Sequence, residues 1–251
     1  TTHTIAEVWL DGEKIYEYGN EEDAPSFMKS PGSCWHIVDI PEGSAGKNLE
    51  VRIIPVYDDY YGNEVSIAYG TRGDCILKIL TDSFKTLLLS CGILFAAVIC
   101  ILLYCGAARR KRSDKTEAKI EIFLNLGFFS LLVAVWTLVQ CGFLQFLIPD
   151  GRTLYFVEYF SLFLFPVPFN FLLYDICKSR YHKGALIFST LYLVNMAGDV
   201  LLQCTGIIDM SRLLSVIHVI MVANVVYTVV IILYEAGKKE NDVAQKFRYP
   251  M

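Results

Sequence analysis

Between Phe84 and Gly106 the chain reads FKTLLLSCGILFAAVICILLYCG, and Arg109, Arg110, Lys111 and Arg112 follow almost at once. A run of this length with one charge near its start matches the ~20 apolar residues that cross a bilayer core of about 30 Å. The basic cluster directly after it marks the cytoplasmic side. Residues before Phe84 are therefore expected outside the cell, and residues after Arg109 in a series of returns across the membrane. Composition agrees: 54% of residues are hydrophobic and 19% charged, more apolar and less charged than a soluble chain. The net charge of -4 hides a division, because acidic residues crowd into 1–82 and basic ones gather between the apolar runs.

Four more apolar runs follow, Ile120 to Phe143, Leu154 to Cys177, Ala185 to Gly206 and Leu213 to Glu235. The segments on one side carry Arg109 to Arg112, Lys115 and Lys119, then Lys178, Arg180 and Lys183, then Lys238, Lys239, Lys246 and Arg248; the turns on the other side carry only Arg152 and Arg212. This is the charge bias of cytoplasmic loops repeated at every turn. The outward turns, Leu147 to Thr153 and Ile207 to Arg212, are short, so consecutive helices are expected as antiparallel neighbours in a bundle. The basic patch beside the first span is read as a topology and headgroup signal, with no nucleic acid as partner.

Residues 1–82 read as strands. Ile5 to Leu10 is β-branched and aromatic, Asp11 and Gly12 form a turn dipeptide, and Lys14 to Tyr18 alternates before Gly19. Further strands are expected over Trp35 to Ile40, Asn48 to Val56, Glu64 to Ala68 and Cys75 to Leu80, with Trp35 and Val51 inward. Short strands separated by Gly and Pro argue an antiparallel sandwich or jelly roll. Some 82 residues are thin for two closed sheets, so part of the domain is expected upstream of Thr1. The organisation is then 1–82 as a partial extracytoplasmic β domain, 83–236 as an all-α transmembrane bundle of five spans, and 237–251 as a cytoplasmic segment leading toward missing further spans and an output module. If the β domain takes a small-molecule or carbohydrate ligand, Trp9, Tyr57, Tyr60 and Tyr61 are its expected contacts by stacking, against the reading that some are core or interface residues.

Polar residues within the spans mark faces turned from lipid. Asn195, Asp199 and Gln203 recur every fourth residue and form one stripe on the fourth span. Asp199, His218 on the fifth span and Glu158 on the third lie at similar depth by helical rise. Two readings are open: a pocket facing outward, or an Asp199–His218 pair that joins two helices while Glu158 reaches the headgroups. Pro166 and Pro168, in FLFPVPFN, remove backbone donors mid-span and predict a kink or break, either a hinge or a static bend. Six of the eight cysteines lie in or at the edge of apolar runs; Cys34 and Cys75 are the candidates for a bridge.

No catalytic, phosphate-cradling, cofactor or metal-ligand motif occurs in the sequence. The phrases THTIAEVWLDGEKIYEYG, WHIVDIPEGSAGKNLEVRIIPVY, EYFSLFLFPVPF, LLQCTGIIDM and LLSVIHVIM resemble the bacterial seven-transmembrane receptors with diverse intracellular signalling modules, most closely the sensor regions of membrane-bound diguanylate cyclases. The resemblance implies a galactose-binding-like jelly roll outside, seven spans, a bacterial cell membrane, and a C-terminal GGDEF module making cyclic di-GMP. It also leaves room for a homodimer. The chain departs in having five apolar runs and no output module, which fits truncation, so catalysis belongs to the parent protein. The rivals are a fragment of a membrane transporter, disfavoured because no pair of broken helices recurs in matching positions, and the sensor region of a histidine kinase.

Overall fold

The computed structural model describes residues 3–20, 25–57, 66–109, 114–177 and 181–237. The elements run β1 (Thr4–Leu10), β2 (Glu13–Tyr18), β3 (Leu49–Pro55), α1 (Arg72–Arg109), α2 (Asp114–Gln140), α3 (Gly151–Leu164), α4 (Pro166–Cys177), α5 (His182–Cys204) and α6 (Leu214–Gly237), with short 3-10 turns before α3 and α6. The chain divides into two compact units. One gathers 1–88, 137–158 and 202–209; the other gathers 89–136, 159–201 and 210–251.

In the first unit the three strands form one antiparallel sheet in the order β2-β1-β3. Asp11 and Gly12 both take positive φ, 48° and 86°, the backbone of a primed two-residue hairpin turn whose twist matches the strands. Asp11 also ties β3 to this tip. Its Oδ1 accepts from Asn48 N at 2.8 Å, and its own N–H donates to Asn48 O at 2.9 Å. Alternation on β1 sends Ala6, Val8 and Leu10 to a buried face. On the other face Trp9 lies under the Arg52 and Lys14 cations and donates from Nε1 to Glu7 at 2.9 Å.

Among the described residues three of the expected strands are not formed. Residues 35–40 have no regular structure, and Ser66 to Ala68 form no strand, with Glu64 and Val65 outside the described residues. Cys75 to Leu80 is helical, inside α1. Thr71 starts that helix: its Oγ1 accepts from Asp74 N at 3.2 Å, while Asp74 Oδ2 accepts from Thr71 N at 3.2 Å. This reciprocal cap satisfies two orphan donors of the first turn. Lys78 and Asp82, one turn apart, pair at 3.0 Å on the same helix. The sheet therefore has three strands among the described residues, and no jelly roll is shown. Val51 is 36% exposed rather than inward, and Trp35 is half-buried. Nor is there a break at 82/83, since α1 runs 38 residues without interruption. At 1.5 Å per residue that is about 57 Å, well over one bilayer core.

Among the described residues five helices are long and apolar enough to cross a membrane: Arg72–Arg109, Ile120–Gln140, Gly151–Asp175 (α3 and α4 together), His182–Cys204 and Met210–Tyr234. They mark a multi-pass membrane protein, and each overlaps one of the apolar runs, within about three residues at either end except for the first, which begins twelve residues before Phe84. The third is interrupted where Pro166 and Pro168 stand: α3 ends at Leu164, Phe165 is a turn residue, and α4 opens on Pro166. As first and third residues of a new helix, the two prolines lack only N–H groups that a helix start leaves unpaired anyway. Phe165 is held there by rings, 6.0 Å from Phe129 and 6.3 Å from Trp136.

Within the second unit small residues set close helix approaches. Ala97, Ala134 and Ala185 are fully buried, and Gly127 of α2 passes so near α1 that a methyl there would stand 2.8 Å from Ile101. Such close contact is how membrane helices gain packing energy without a hydrophobic drive between them. A buried polar cluster adds direction. Tyr181, fully buried, has its hydroxyl 2.8 Å from Thr228 Oγ1 and 3.2 Å from Asn170 Oδ1; Asn224 Nδ2 donates to Asn170 Oδ1 at 2.8 Å and to Tyr192 at 3.3 Å. Valines 219, 222 and 226 cover the outside of α6 and are more than half exposed, as a lipid-facing surface is.

Candidate functional site

Within the first unit, a buried carboxylate collects hydrogen bonds from distant parts of the chain. Asp209, in the turn between α5 and α6, is 5% exposed. Its Oδ2 accepts from Lys29 N at 3.2 Å, from Ser30 N at 3.1 Å and from the Tyr57 hydroxyl. Its Oδ1 accepts from Gln203 Nε2 at 2.9 Å. A carboxylate met by two backbone amides and two side-chain donors meets the condition under which burying a charge is tolerated.

Gln203, near the end of α5, spends its remaining capacity on the same junction. Nε2 also donates to Phe27 O at 2.5 Å, and Oε1 accepts from Tyr155 of α3 at 3.2 Å. His3, just before β1, packs edge-on against Tyr155 at 5.5 Å and sets Nδ1 2.8 Å from Ser30 Oγ. Burial drives His3 down to about 4, against the attraction of Asp209, so the ring is neutral at pH 7. One polar core thus joins the start of the sheet, the segment 27–30, the second residue after β3, the second turn of α3 and the α5–α6 turn.

A second contact lies beside it. Trp35 N donates to Gln145 Oε1 at 2.7 Å, in the connection between α2 and α3. Gly32, at φ 86°, lies against Gly151, the first residue of α3, where neither backbone has room for a side chain. Tyr18 donates to Pro31 O at 2.6 Å, and His36 packs on Tyr18 at 4.6 Å with Nδ1 3.0 Å from the Tyr16 hydroxyl. Burial lowers His36 and raises Cys34 and Tyr18. These contacts, made by side chains and turns, take up Trp35 and His36 at the start of the stretch where no strand forms. Cys34 and Cys75 are unbridged.

The sequence-derived candidates fall in different places. Tyr57 belongs to the Asp209 core, as an interface residue. Trp9 pairs in register with Glu50. Tyr57 lies two residues beyond the end of β3, with its hydroxyl on Asp209. Tyr60 and Tyr61 lie outside the described residues. The α5 stripe is turned inward, with Asp199 5% and Gln203 1% exposed and Asn195 Nδ2 donating to Asp199 at 2.6 Å.

Asp199 and His218 form no ion pair or hydrogen bond. The inward face of α6 is carried by Ile217, Asn224 and Thr228, seven and four residues apart, which turns the next residue, His218, outward and leaves it exposed. Glu158 instead accepts from Gln140 Nε2 at 2.6 Å. Among the described residues no three His, Cys, Asp or Glu side chains gather as metal ligands.

Asp209, Ser30, His3 and Tyr155 were not singled out by their sequence context. Their partners stand up to 180 positions away, and the one available signal was Asp209 itself, an acid set between the apolar residues Ile208 and Met210. Comparison with known protein families, with curated proteins and with solved structures finds no match to this chain.

Proposed function

We propose that this chain is the sensing and transmitting region of a bacterial membrane receptor. The three-stranded sheet belongs to a jelly-roll sensor domain outside the cell, and the spans pass its state to a diguanylate cyclase module on the cytoplasmic side. The observation that carries this reading is the Asp209 core. A carboxylate in the turn between two spans is bonded to backbone amides of the N-terminal segment, so a displacement of that segment must move the turn or break several buried hydrogen bonds. Tyr155 brings the second turn of α3 into the same core, and α3 continues to the break at Phe165. The prolines there give the helix a place to absorb a change of direction. Charge bias in the loops supports the orientation.

The test is Asp209→Asn in the reconstituted chain, with hydrogen exchange read at Lys29 and Ser30, and the same variant in the parent protein with cellular cyclic di-GMP as readout. The neutral amide accepts more weakly and adds donors facing other donors. Exchange at those amides is expected to rise at least about tenfold, equivalent to roughly 1.4 kcal/mol, and cyclic di-GMP output to lose its dependence on stimulus. Unchanged exchange and unchanged output would reject the reading.

A further inference from the structure

In the order β2-β1-β3 the last strand pairs on one side only. The bond from Asp11 N–H to Asn48 O sets the phase of the β1–β3 ladder. The pairs that exchange hydrogen bonds are then Trp9 with Glu50, Glu7 with Arg52 and Ile5 with Ile54. Leu49, Val51 and Ile53 alternate with these residues, so their N–H and C=O groups point away from β1. Among the described residues no hydrogen bond reaches that side. Pro55 falls in the same outward set, where a strand tolerates a missing N–H.

The side chains of the same residues continue the apolar face of β1. Leu49, Val51 and Ile53 stand opposite Leu10, Val8 and Ala6. The three β1 residues are buried, yet Leu49 is 43% and Val51 36% exposed. One edge thus combines open ladder groups with uncovered apolar side chains, which is the template for a further strand. On the other face Glu50 and Arg52 pair at 2.7 Å, both about half exposed. They have each other as partners, and their alternation restricts which strand can lie alongside.

We propose that β3 pairs with β3 of a second copy of this chain, antiparallel about a two-fold axis at Val51, joining the two three-stranded sheets into one. In that register Val51 meets Val51 and Leu49 meets Ile53 at the hydrogen-bonded positions, and Glu50 meets Arg52 at the closer, non-bonded ones. Each guanidinium then lies between two carboxylates. Its Nε keeps the bond to Glu50 of its own chain, and its terminal nitrogens reach the other copy. Other axes fit less well. A two-fold at Arg52 or Glu50 sets like charges opposite one another; one at Ile53 brings Pro55 into the ladder opposite Val51; one at Leu49 leaves Ile53 uncovered and sets Glu50 against Asn48. The strand is self-complementary in the Val51 register alone, and the β2 edge stays open for the sensor domain to continue.

The full chain, with its native cysteines replaced by Ser, is reconstituted in liposomes over a range of protein-to-lipid ratios. Copies with a donor or an acceptor dye at the C-terminus report dimers by energy transfer. The ladder is short, so the dimer is expected to be weak and concentration-dependent. Glu50→Arg and Arg52→Glu each set like charges opposite one another and are each expected to raise the half-dimer concentration at least about tenfold. An equimolar mixture of those two variants is expected to dimerise again. Val51→Pro removes an N–H that faces away from β1 and is expected to abolish energy transfer while Lys29 and Ser30 keep their exchange protection, which reports an intact fold. Oxidation reads the register. Glu50→Cys chains mixed with Arg52→Cys chains are expected to cross-link, whereas either kind alone places its cysteines diagonally, about 7–8 Å apart and beyond disulfide reach. Overturning results are no energy transfer at any ratio, a dimer indifferent to Val51→Pro, no recovery in the mixture of charge variants, or cross-linking of Glu50→Cys chains with themselves. A protected Val51 amide in chains that show no energy transfer gives the edge to another strand and likewise overturns the dimer. None of these outcomes touches the receptor reading, which Asp209→Asn tests separately.

Discussion

His3 shows how a single side chain sets a pH dependence. Its folded value of about 4 lies below the ordinary 6.5 because the ring is buried beside Tyr155 and Ser30. Between pH 6.5 and 4 the unfolded segment binds a proton that the folded one does not, so stability is full above about 6.5 and falls as pH drops toward 4. The loss approaches about 3 kcal/mol at the acid end, from roughly 1.4 kcal/mol per unit. Burial acts in the same direction on His36. Exchange at Ser30 is expected to accelerate progressively below pH 6.5 in the wild type. His3→Gln, which keeps a hydrogen-bonding group near Ser30 but carries no charge, is expected to flatten that profile; a wild-type profile flat from 7 to 4 would contradict the assignment. None of this was legible at the residue scale. His3 and Asp209 are unremarkable singly, and their meaning comes from contacts across most of the chain length. Gln203 was visible as part of a four-residue stripe, but the stripe tells which face is polar and not which partners it meets.

At the scale of elements the reading divides by how much a pattern depends on its surroundings. Long apolar runs and mid-span prolines are decided locally, by bilayer length and by a missing N–H, and both appear where expected. The hairpin at Asp11 and Gly12 is equally local. Cys75 to Leu80, CILKIL, was misread because six residues rich in β-branched and apolar side chains fit either period. The deciding signals involve residues on either side of that window: the Thr71–Asp74 cap before it, and Asp82 after it, which pairs with Lys78 one helical turn earlier. Trp35 to Ile40 has strand composition but gives its polar groups to turns and side chains instead. If the Thr71–Asp74 cap starts α1, Asp74→Ala should loosen the start of that helix. Amide exchange is expected to rise several-fold in the first turn of α1 and to stay unchanged beyond Ser83. Uniform protection from Arg72 onward in that variant would show that the helix start is held by something else.

At the scale of the whole molecule the question is which side of the membrane each segment occupies, and connectivity supplies a check independent of charge. The first unit collects the sheet, the α2–α3 connection and the α5–α6 turn. Those two connections are separated along the chain by two spans, α3 with α4 and then α5, and α1 and α2 make the same return before them. Segments two crossings apart emerge on the same side, so one compact unit holding all three agrees with five successive crossings. The lysines and arginines fall in the other set of connections, 109–119, 178–183 and 237–251, where the inner side is expected. Single cysteines at Lys47, Lys115 and Lys239, in a chain whose native cysteines are replaced by Ser, distinguish the sides by labelling with an impermeant maleimide. Position 47 is expected to label in intact cells, and positions 115 and 239 only after the membrane is opened. Labelling of 115 and 239 but not 47 in intact cells would invert the orientation and put the three-stranded sheet inside. Labelling of 47 and 115 together would mean that α1 does not cross, despite 38 residues and a long apolar run.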